Sequence, residues 1–599
     1  MALLDPAWQT RPRADKASAL HDWVRALEAT APIGDEPRRI LAAAIEEFAH
    51  SRPDAPALIC ERGTLTYRAL AGRIRRYARW ALAQDLGPGE TVCLVMPNRP
   101  EYMAIWLGIT CAGGTVALIN TQLRGASLAH CIDLVAPAHV IAAAECVAAL
   151  RDAPLSSGAK IWSHGGREAL RIDREVERFS AEPLLPGERR KVTLADRALT
   201  IFTSGTSGLP KAANVSHRRI MQWSQWFAGL MDIAPDDRMY DCLPMYHAVG
   251  GVVATGALLV RGGSVVIRGK FSASEFWNDV TDWNCTLLQY IGELARYLVS
   301  APPHPRERQH RLRLACGNGL RAEVWQKFQS RFAIPRILEF YAATEANVSL
   351  YNVEGKVGAV GRVPPFLRHR FPLALIKVDA VSGEPIRGTD GRCLRCAAGE
   401  VGEAIGKIGT DLPGQAFEGY SEGADTERKI LRDAFAGGDA WFRTGDLMRM
   451  DGRGYFYFVD RAGDTFRWKG ENVAAAEVAD ALMAFPGIAT ATVYGVPVPG
   501  TEGKAGMAAL VAEGAPDLAA LRAHLVRRLP AYARPLFLRL TTGLAMTATF
   551  KPQTADLRRD GFDLNVVRDP LFFDDAERGA YVPLDRALYE RIDAGKLRL

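Results

Sequence analysis

The feature that most constrains the fold is a repeated alternation of short apolar segments with helical patterns over residues 1–365. The apolar run Thr91–Met96 is followed by the helical pattern Glu101–Ala112 and then by the apolar run Thr115–Ile119. Alternating strands and helices of this kind produce parallel sheet that helices cover on both faces. The sequence therefore predicts an α/β fold. Further strand candidates are His139–Ala142, Ala198–Phe202, Met239–Leu243, Ser264–Ile267, Thr286–Gln289 and Leu312–Ala315.

The pattern changes after residue 365, and a chain of 599 residues exceeds one hydrophobic core. Segments such as Phe371–Asp379 and Tyr455–Val459 are separated by Gly- and Pro-rich turns, which is typical of a β-rich subdomain. From Asp464 the pattern is that of a compact α+β unit. We predict a large domain over 1–460 (α/β over 1–365, β-rich over 366–460), a hinge at 461–463, and a small mobile α+β domain with a tail over 464–599.

A stretch rich in Ser, Thr and Gly has the composition of a phosphate-holding loop. Its glycines let backbone N–H groups turn toward an anion, its hydroxyls add donors, and its lysine supplies a cation. It is not the P-loop of kinases and GTPases, because Pro210 precedes the lysine and Ala212 follows it. An ordinary Ser/Gly-rich surface loop is the alternative. The candidate phosphate-binding residues are Thr203, Ser204, Gly205, Thr206, Ser207, Gly208 and Lys211.

A second motif, Glu339–Glu345, ends in a carboxylate. A hard cation shared with phosphates prefers one or two carboxylates, so Glu345 is a candidate magnesium ligand. Tyr341 suits packing on a purine ring, and Thr344 suits a hydrogen bond to a reacting carboxylate or to the α-phosphate. A strand end with one exposed glutamate is the alternative.

Two further motifs place charged residues before and at the predicted hinge. In Trp441–Asp446, the short acidic Asp446 follows a glycine, as suits a residue that accepts both ribose hydroxyls. In Phe458–Asp464, Arg461 lies at the domain junction and could reach the ribose and phosphates. A turn aspartate and a surface arginine are the ordinary alternatives.

Composition excludes several classes of protein. A formal net charge of +6 over this length argues against a dedicated nucleic-acid binder, which concentrates its basic residues. Cys393 and Cys396 form the only C-x-x-C pair, with no His cluster nearby, so two reduced strand cysteines are expected. The early Asp5 argues against a signal peptide, and the apolar run Ala248–Val260 is too short to span a bilayer. We expect a cytoplasmic protein.

The phosphate loop and the three charged motifs together resemble the adenylate-forming enzymes, which include acyl-CoA synthetases, peptide-synthetase adenylation domains and luciferases. The run Asp464–Val473 resembles in particular the fatty acid transport protein and very-long-chain acyl-CoA synthetase family. Asp241–His247, Ala315–Arg321 and Lys356–Arg362 also match that family. The resemblance spans nearly the whole chain.

The resemblance implies ATP, Mg²⁺ and CoA as ligands and two half-reactions in one pocket. A fatty acid carboxylate attacks the α-phosphate to give acyl-AMP and pyrophosphate, and the CoA thiol then displaces AMP. Lys551 is implied as the mobile cation of the first step, His247 as a residue of the carboxylate pocket, and Gly463 as the hinge. The remaining implied residues are Gly317, Asn318 and Gly319 beside adenine, and Lys469 and Gly470 on the CoA face.

The residues leave several questions open. The predicted activity is a long or very long chain fatty acyl-CoA synthetase. The alternatives are a non-catalytic lipid-uptake or carrier module, a ligase that loads a carrier protein, and a ligase for a bile-acid or carnitine-like carboxylate. Trp223, Trp226, Phe227 and Tyr290–Leu294 either line an acyl tunnel or form ordinary core. Monomer and homodimer both remain open, and we expect a soluble protein or one bound peripherally at the inner face of the membrane.

Overall fold

The computed structural model describes residues 18–203, 210–379, 382–409, 417–461, 466–468, 471–499, 501, 503–547, 552–595 and 597. The chain separates into two compact units, Met1–Phe371 with Ile408–Ile430 and Pro372–Lys407 with Leu431–Leu599. The hinge expected at 461–463 stays a prediction, because residues 462 and 463 lie outside the described part.

The first unit alternates helices and strands along the sequence. Its helices are α1 (Ala19–Thr30), α2 (Leu41–Ser51), α3 (Tyr67–Ala83), α4 (Pro100–Cys111), α5 (Gly125–Leu134), α6 (Ala144–Arg151), α7 (Ile172–Glu175), α8 (His217–Leu230), α9 (Ala254–Leu259), α10 (Phe276–Asp282), α11 (Gly292–Ser300), α12 (Ala322–Phe332) and α13 (Gly423–Glu427). Its strands are β1 (Pro56–Cys60), β2 (Gly63–Thr66), β3 (Thr91–Val95), β4 (Thr115–Leu118), β5 (His139–Ala143), β6 (Lys160–His164), β7 (Arg197–Thr203), β8 (Lys211–Ser216), β9 (Arg238–Asp241), β10 (Ser264–Ile267), β11 (Leu287–Ile291), β12 (Leu314–Asn318), β13 (Ile337–Ala342), β14 (Ser349–Asn352) and β15 (Gly361–Arg362).

Two sheets organise this unit. One has the order β6-β5-β3-β4-β7-β8 and is parallel except for the antiparallel pair β7–β8. The other runs β14-β13-β12-β11-β9-β10-β1-β2, with parallel pairing from β13 to β1 and antiparallel pairs at its two ends. Strands such as β3 are buried along their whole length, as strands covered on both faces must be. The α/β prediction is confirmed.

Local sequence sets the start of α8, the helix that follows β8. Ser216 lies at its N-cap, and the Ser216 hydroxyl accepts a hydrogen bond from the backbone N–H of Arg219 at 3.2 Å. Further along, Trp226 packs against Trp23 of α1 with ring centroids 5.9 Å apart. Helix α8 is therefore capped at one end and covered by an N-terminal helix at the other.

The second unit is richer in strands. Its strands are β16 (Leu373–Ile376), β17 (Val401–Lys407), β18 (Ile430–Arg432, which begins at the last residue of the first unit), β19 (Ala440–Met450), β20 (Tyr455–Arg461), β21 (Phe466–Trp468), β22 (Glu471–Val473), β23 (Ile488–Pro497), β24 (Lys504–Ala512), β25 (Phe537–Leu540), β26 (Leu571–Asp575) and β27 (Ala580–Pro583). Its helices are α14 (Ala475–Met483), α15 (Leu518–Arg528), α16 (Ala555–Asp560) and α17 (Arg586–Asp593).

Within this unit an antiparallel meander leads to an α+β core. Strands β16, β17, β19 and β20 pair antiparallel in that order, with β18 on β19. The five-stranded sheet β23-β24-β25-β26-β27 is antiparallel except for β24–β25. Its buried core includes Leu482 of α14, Leu521 of α15 and Phe537 of β25. A β-rich segment followed by a compact α+β segment is what the sequence predicts.

Composition led to expectations about the cysteine pair Cys393 and Cys396 and about membrane-spanning segments, and the structure describes both features. Cys393 and Cys396 are free thiols, and burial raises the pKa of both. In the described part of the chain, no group of three or more His, Cys, Asp and Glu side chains could hold a metal ion. Over the same residues, no helix combines the length and the apolar character needed to cross a membrane.

Candidate functional site

The phosphate loop is held at both ends by one antiparallel strand pair. Thr203, the last residue of β7, is the Cα partner of Lys211, the first residue of β8. Lys211 was expected within the loop, and β8 was not predicted. This strand ends at Ser216 and buries only the small apolar residues Ala212, Ala213 and Val215. The predicted residues Ser204, Gly205, Thr206, Ser207 and Gly208 lie outside the described residues.

The ammonium group of Lys211 has two neighbours that the sequence analysis did not identify. Its Nζ lies 2.8 Å from Oδ1 of Asp425 on α13, and the same oxygen accepts from Arg428 at 3.0 Å. Its Nζ also lies 5.6 Å from the centroid of the Tyr420 ring, within the range of a cation–π contact. Lys211 is thus held near an anion and an aromatic face.

The carboxylate of Glu345 meets the same tyrosine. The Tyr420 hydroxyl donates to Oε1 of Glu345 at 3.1 Å, and Glu345 and Thr344 are both half-buried after β13. Arg219, a buried guanidinium of α8, donates to the carbonyl of Ala346, and its charge interacts with that of Glu345. The structure therefore brings Lys211 and Glu345, predicted from separate motifs, to one side chain.

The predicted adenine turn overlaps the end of β12, which contains Gly317 and Asn318. Gly317 fits only because it has no side chain, since a Cβ there would lie 2.2 Å from the carbonyl oxygen of Tyr290. Asn318 ends the strand, and Gly319 adopts a φ of +81°, a conformation that favours glycine. The two glycines are therefore required for separate reasons, one by close packing and the other by backbone conformation.

A buried acid that the sequence analysis passed over fixes this turn. The Glu339 carboxylate on β13 accepts hydrogen bonds from the hydroxyl of Tyr290 and from the backbone N–H of Leu320, the latter at 3.0 Å. Burial raises the pKa of Glu339 to about 8. Tyr341 is two residues further along the same strand and half-buried. The one sequence signal for this role of Glu339 is its position at the start of the Glu339–Glu345 motif.

His247 lies after β9, where the chain enters a buried helical segment. Its backbone N–H donates to the carbonyl of Pro244 at 3.1 Å, and its ring lies 4.7 Å from that of Tyr246. The segment continues through a π-helical turn, Val249–Val253, into α9. The apolar run Ala248–Val260 is thus a buried helix, as expected.

The remaining described site residues lie in the second unit. Asp446 on β19 and Arg461 on β20 are Cα partners, and Nε of Arg461 lies 3.4 Å from Oδ1 of Asp446. Gly445 has a φ of +77°, so a glycine is required immediately before the aspartate. Gly463, Lys469, Gly470 and Lys551 lie outside the part of the chain that the structure describes.

Trp226 and Phe227, two of the aromatic residues considered for an acyl tunnel, belong to a cluster around α8. Trp226 lies 5.6 Å from Tyr351 between ring centroids, and Phe227 lies 4.8 Å from Phe340. Trp23 of α1 completes the cluster and was not predicted, because its partners are remote in sequence. Tyr290 lies in a different buried cluster, 6.2 Å from Phe328 between ring centroids. Tunnel lining stays a hypothesis for these residues.

The family models of known proteins match most of this architecture. The AMP-binding enzyme family model matches residues 45–386, and the model of the AMP-binding enzyme C-terminal domain matches residues 477–551. Long-chain fatty acid transport protein 1 of Mus musculus is 41% identical over 528 residues, which cover 86% of this chain and 82% of that protein.

Solved structures share the fold. The crystal structure of ATP bound MatB from Rhodopseudomonas palustris matches with a TM-score of 0.73 at 23% identity, covering 87% of this chain and 99% of that one. A benzoate CoA ligase from Burkholderia xenovorans LB400 matches with a TM-score of 0.73 at 21% identity, with coverage of 87% and 99%.

These matches place the chain in the class of adenylate-forming, AMP-binding enzymes. Within that class it belongs to the long-chain fatty acid transport protein and very-long-chain acyl-CoA synthetase family.

Proposed function

We propose that this protein is an ATP- and CoA-dependent ligase that converts long or very long chain fatty acids into acyl-CoA through an acyl-AMP intermediate. The observation that carries the proposal is the meeting of Lys211 and Glu345 at the buried side chain of Tyr420, with Thr203 paired to Lys211 across strands β7 and β8. One end of the loop, its cation and a carboxylate are thereby gathered where a triphosphate needs donors, positive charge and a metal ligand. The name of the mouse relative supports a fatty acid as the substrate.

In the first half-reaction, the attack of the carboxylate on the α-phosphate builds negative charge on the transferring oxygens. Positioned cations stabilise such charge most when they need not reorganise. Lys211 is held between Asp425 and Tyr420, and these two side chains orient its ammonium. Lys551 is proposed as the second cation, delivered by the mobile C-terminal domain to bridge the carboxylate and the α-phosphate.

The donor set at Glu345 suits magnesium. Mg²⁺ in nucleotide sites keeps several waters and uses one or two carboxylates together with phosphate oxygens. Glu345 is a half-buried carboxylate that shares Tyr420 with Lys211, the cation of the phosphate loop. Bound there, the ion would offset the charge of the phosphates. Thr344, next to Glu345, is proposed to hydrogen-bond the reacting carboxylate or the α-phosphate.

The nucleoside is proposed to bind through residues of three predicted motifs. The turn Gly317–Gly319 and the half-buried Tyr341 would hold adenine, and Asp446 would accept the two ribose hydroxyls. An ionised carboxylate is an acceptor with about four lone-pair sites, so Asp446 can accept the hydroxyls while it stays paired with Arg461.

In the second half-reaction, the CoA thiol attacks the acyl carbonyl of the acyl-AMP, and AMP leaves with the bonding electron pair. We propose that the C-terminal domain turns about residues 461–463 between the steps and replaces Lys551 by the face that bears Lys469 and Gly470. His247 is proposed to line the pocket of the carboxylate and the thioester.

A release assay with purified protein tests the proposal. Carboxylic acids of graded chain length are supplied with Mg-ATP, with and without CoA, and AMP, pyrophosphate and thioester are measured. We expect long chains to stimulate pyrophosphate release and thioester to form only with CoA, and we expect Lys551→Ala to abolish acyl-AMP formation. Absence of fatty-acid-dependent AMP and pyrophosphate would refute the proposal. Acyl-AMP without a CoA thioester would instead indicate a ligase for a carrier protein.

We also propose that the protein acts in the cytoplasm with peripheral contact at the inner face of a membrane, where long-chain substrates partition. The net charge of +6 supports attraction to an anionic surface. Co-sedimentation with anionic but not neutral vesicles, weakening at high salt, is the expected result. Equal partition to both vesicle types would count against it.

A further inference from the structure

The side chain of Tyr420 lies against Lys211, at one end of the phosphate loop, and against the carboxylate of Glu345. Its phenol donates a hydrogen bond to Oε1 of Glu345 at 3.1 Å. Thr203, at the other end of the loop, is the Cα partner of Lys211. The ammonium of Lys211 lies over its ring, 5.6 Å from the centroid. Only 6% of Tyr420 is exposed, so these contacts are largely shielded from solvent.

Main-chain pairing fixes where this tyrosine lies. The backbone N–H of Asn214 on β8 donates to the carbonyl of Gly419 at 3.1 Å, and that of Ser421 donates to the carbonyl of Ala212 at 2.8 Å. Tyr420 itself bridges to Ala213, so the segment 418–421 adds an antiparallel edge to β8. Its backbone is therefore bound to the strand that begins with Lys211.

Side chains on either side of Tyr420 reinforce the pairing. Glu418 accepts from the backbone N–H and the hydroxyl of Ser216, at 2.7 and 2.6 Å. Asp425 pairs with Lys211 at 2.8 Å, with 12% and 24% of the two side chains exposed. The segment thus holds the loop lysine from two directions, through an aromatic face and through a carboxylate.

We infer that Tyr420 is a positioning residue that couples the phosphate loop to the magnesium carboxylate, and that Asp425 is the counter-ion that holds Lys211 until phosphates engage it. This inference rests on the proposed function and names residues that neither the motifs nor the family resemblance assigned. Because the phenol holds Oε1 of Glu345, it sets the direction in which Oε2 faces a cation. The phenol of a tyrosine is a hydrogen-bond donor at physiological pH.

The variant Tyr420→Phe tests the coupling, because it keeps the ring beneath Lys211 and removes only the hydroxyl. We expect the Mg²⁺ concentration for half-maximal binding of α,β-methylene-ATP, measured by titration calorimetry, to rise about tenfold, the effect of one lost hydrogen bond to a charged group. The KM for the fatty acid should not change in the turnover assay. The control is Tyr240→Phe, which removes an equally buried phenol that donates to Asp279 at 3.0 Å in the same unit.

The variant Asp425→Asn tests the counter-ion. Without Mg²⁺, we expect the analogue to bind about threefold more tightly, the size of one partly exposed ion pair, because phosphates no longer compete with a carboxylate for Lys211. The rate of pyrophosphate release at saturating ATP should fall, since the ammonium is no longer oriented, and Asp425→Glu should restore it. Asp574→Asn, which breaks the 2.5 Å pair with Arg522, controls for loss of an ion pair.

Two outcomes separate this inference from the proposed function. A Tyr420→Phe variant with the Mg²⁺ dependence of the wild type, or an Asp425→Asn variant with unchanged analogue affinity, would overturn the inference even if the wild type makes acyl-CoA. A wild type that binds the analogue but releases no pyrophosphate would overturn the proposed function, while the binding measurements would still decide the role of Tyr420.

Discussion

Glu345 and Asp446 are both acidic residues that the sequence assigns to the nucleotide, yet the two units surround them differently. Glu345 accepts a hydrogen bond from the neutral phenol of Tyr420. Asp446 pairs with a cation, Arg461, at 3.4 Å, and 12% of its side chain is exposed.

The difference follows from what each carboxylate has to bind. A carboxylate that binds a divalent cation contributes its negative charge, so loss of that charge removes the attraction. A carboxylate for ribose hydroxyls needs lone pairs more than charge, so a neighbouring guanidinium does not prevent its task. The comparison therefore predicts that loss of charge matters more at Glu345 than at Asp446.

Replacing Glu345 by Gln should have the largest effect, because the amide keeps the shape and removes the charge. We expect fatty-acid-dependent pyrophosphate release to fall by about 10²–10³-fold, the scale of losing one group that stabilises transition-state charge. Initial rates over a range of Mg²⁺ concentrations measure it. Glu354→Gln, which removes a carboxylate paired with Arg362 in the same unit, is the control. A Glu345→Gln variant with normal rates would contradict the prediction that loss of charge matters more at Glu345 than at Asp446.

Replacing Asp446 by Asn should have a smaller effect, confined to nucleotide binding. We expect the KM for ATP to rise about tenfold, as for one hydrogen bond to a charged group, with little change in kcat. The wild type should discriminate against 2′-deoxy-ATP, and the variant should lose most of that discrimination. Asp451→Asn, in the turn after β19, serves as the control. If the variant still discriminates as the wild type does, Asp446 does not bind the ribose.

Glu339 is a third acidic residue, and it differs from Glu345 and Asp446 because it is buried. Its ionisation is expected to affect the stability of the fold. Its pKa rises from the ordinary 4.5 to about 8 on folding. Between these values the folded chain keeps a proton that the unfolded chain has lost. The free energy of unfolding should therefore fall as pH rises from about 4.5 to 8, by at most about 1.4 kcal/mol per pH unit.

Melting temperatures at pH 6 and pH 8 measure this effect. We expect the wild type to lose more thermal stability over that interval than Glu339→Gln, whose amide does not titrate. Equal losses in the two proteins would show that Glu339 is ionised throughout.

Much of the fold could be predicted because it follows from local patterns of apolar, polar and turn-forming residues along the sequence. The strand–helix alternation predicted the parallel sheets, and turn-rich segments predicted a β-rich subdomain over 366–460. Strand β8 was missed, because Lys211–Ser216 follows a glycine-rich loop and contains only small or polar residues apart from Val215. Its pairing with β7 is a contact between two segments that residue types alone did not reveal.

The sequence by itself determined the class of fold, the family and the charged candidates Lys211, Glu345, Asp446 and Arg461, because these lie in contiguous motifs whose residue types suit phosphates, a cation and a ribose. Only the tertiary structure revealed Tyr420 and Asp425. Tyr420 acts on a carboxylate 75 positions away, and Asp425 on a lysine 214 positions away. Contacts over such separations arise when strands and segments pair in space, and no local pattern of residues encodes them.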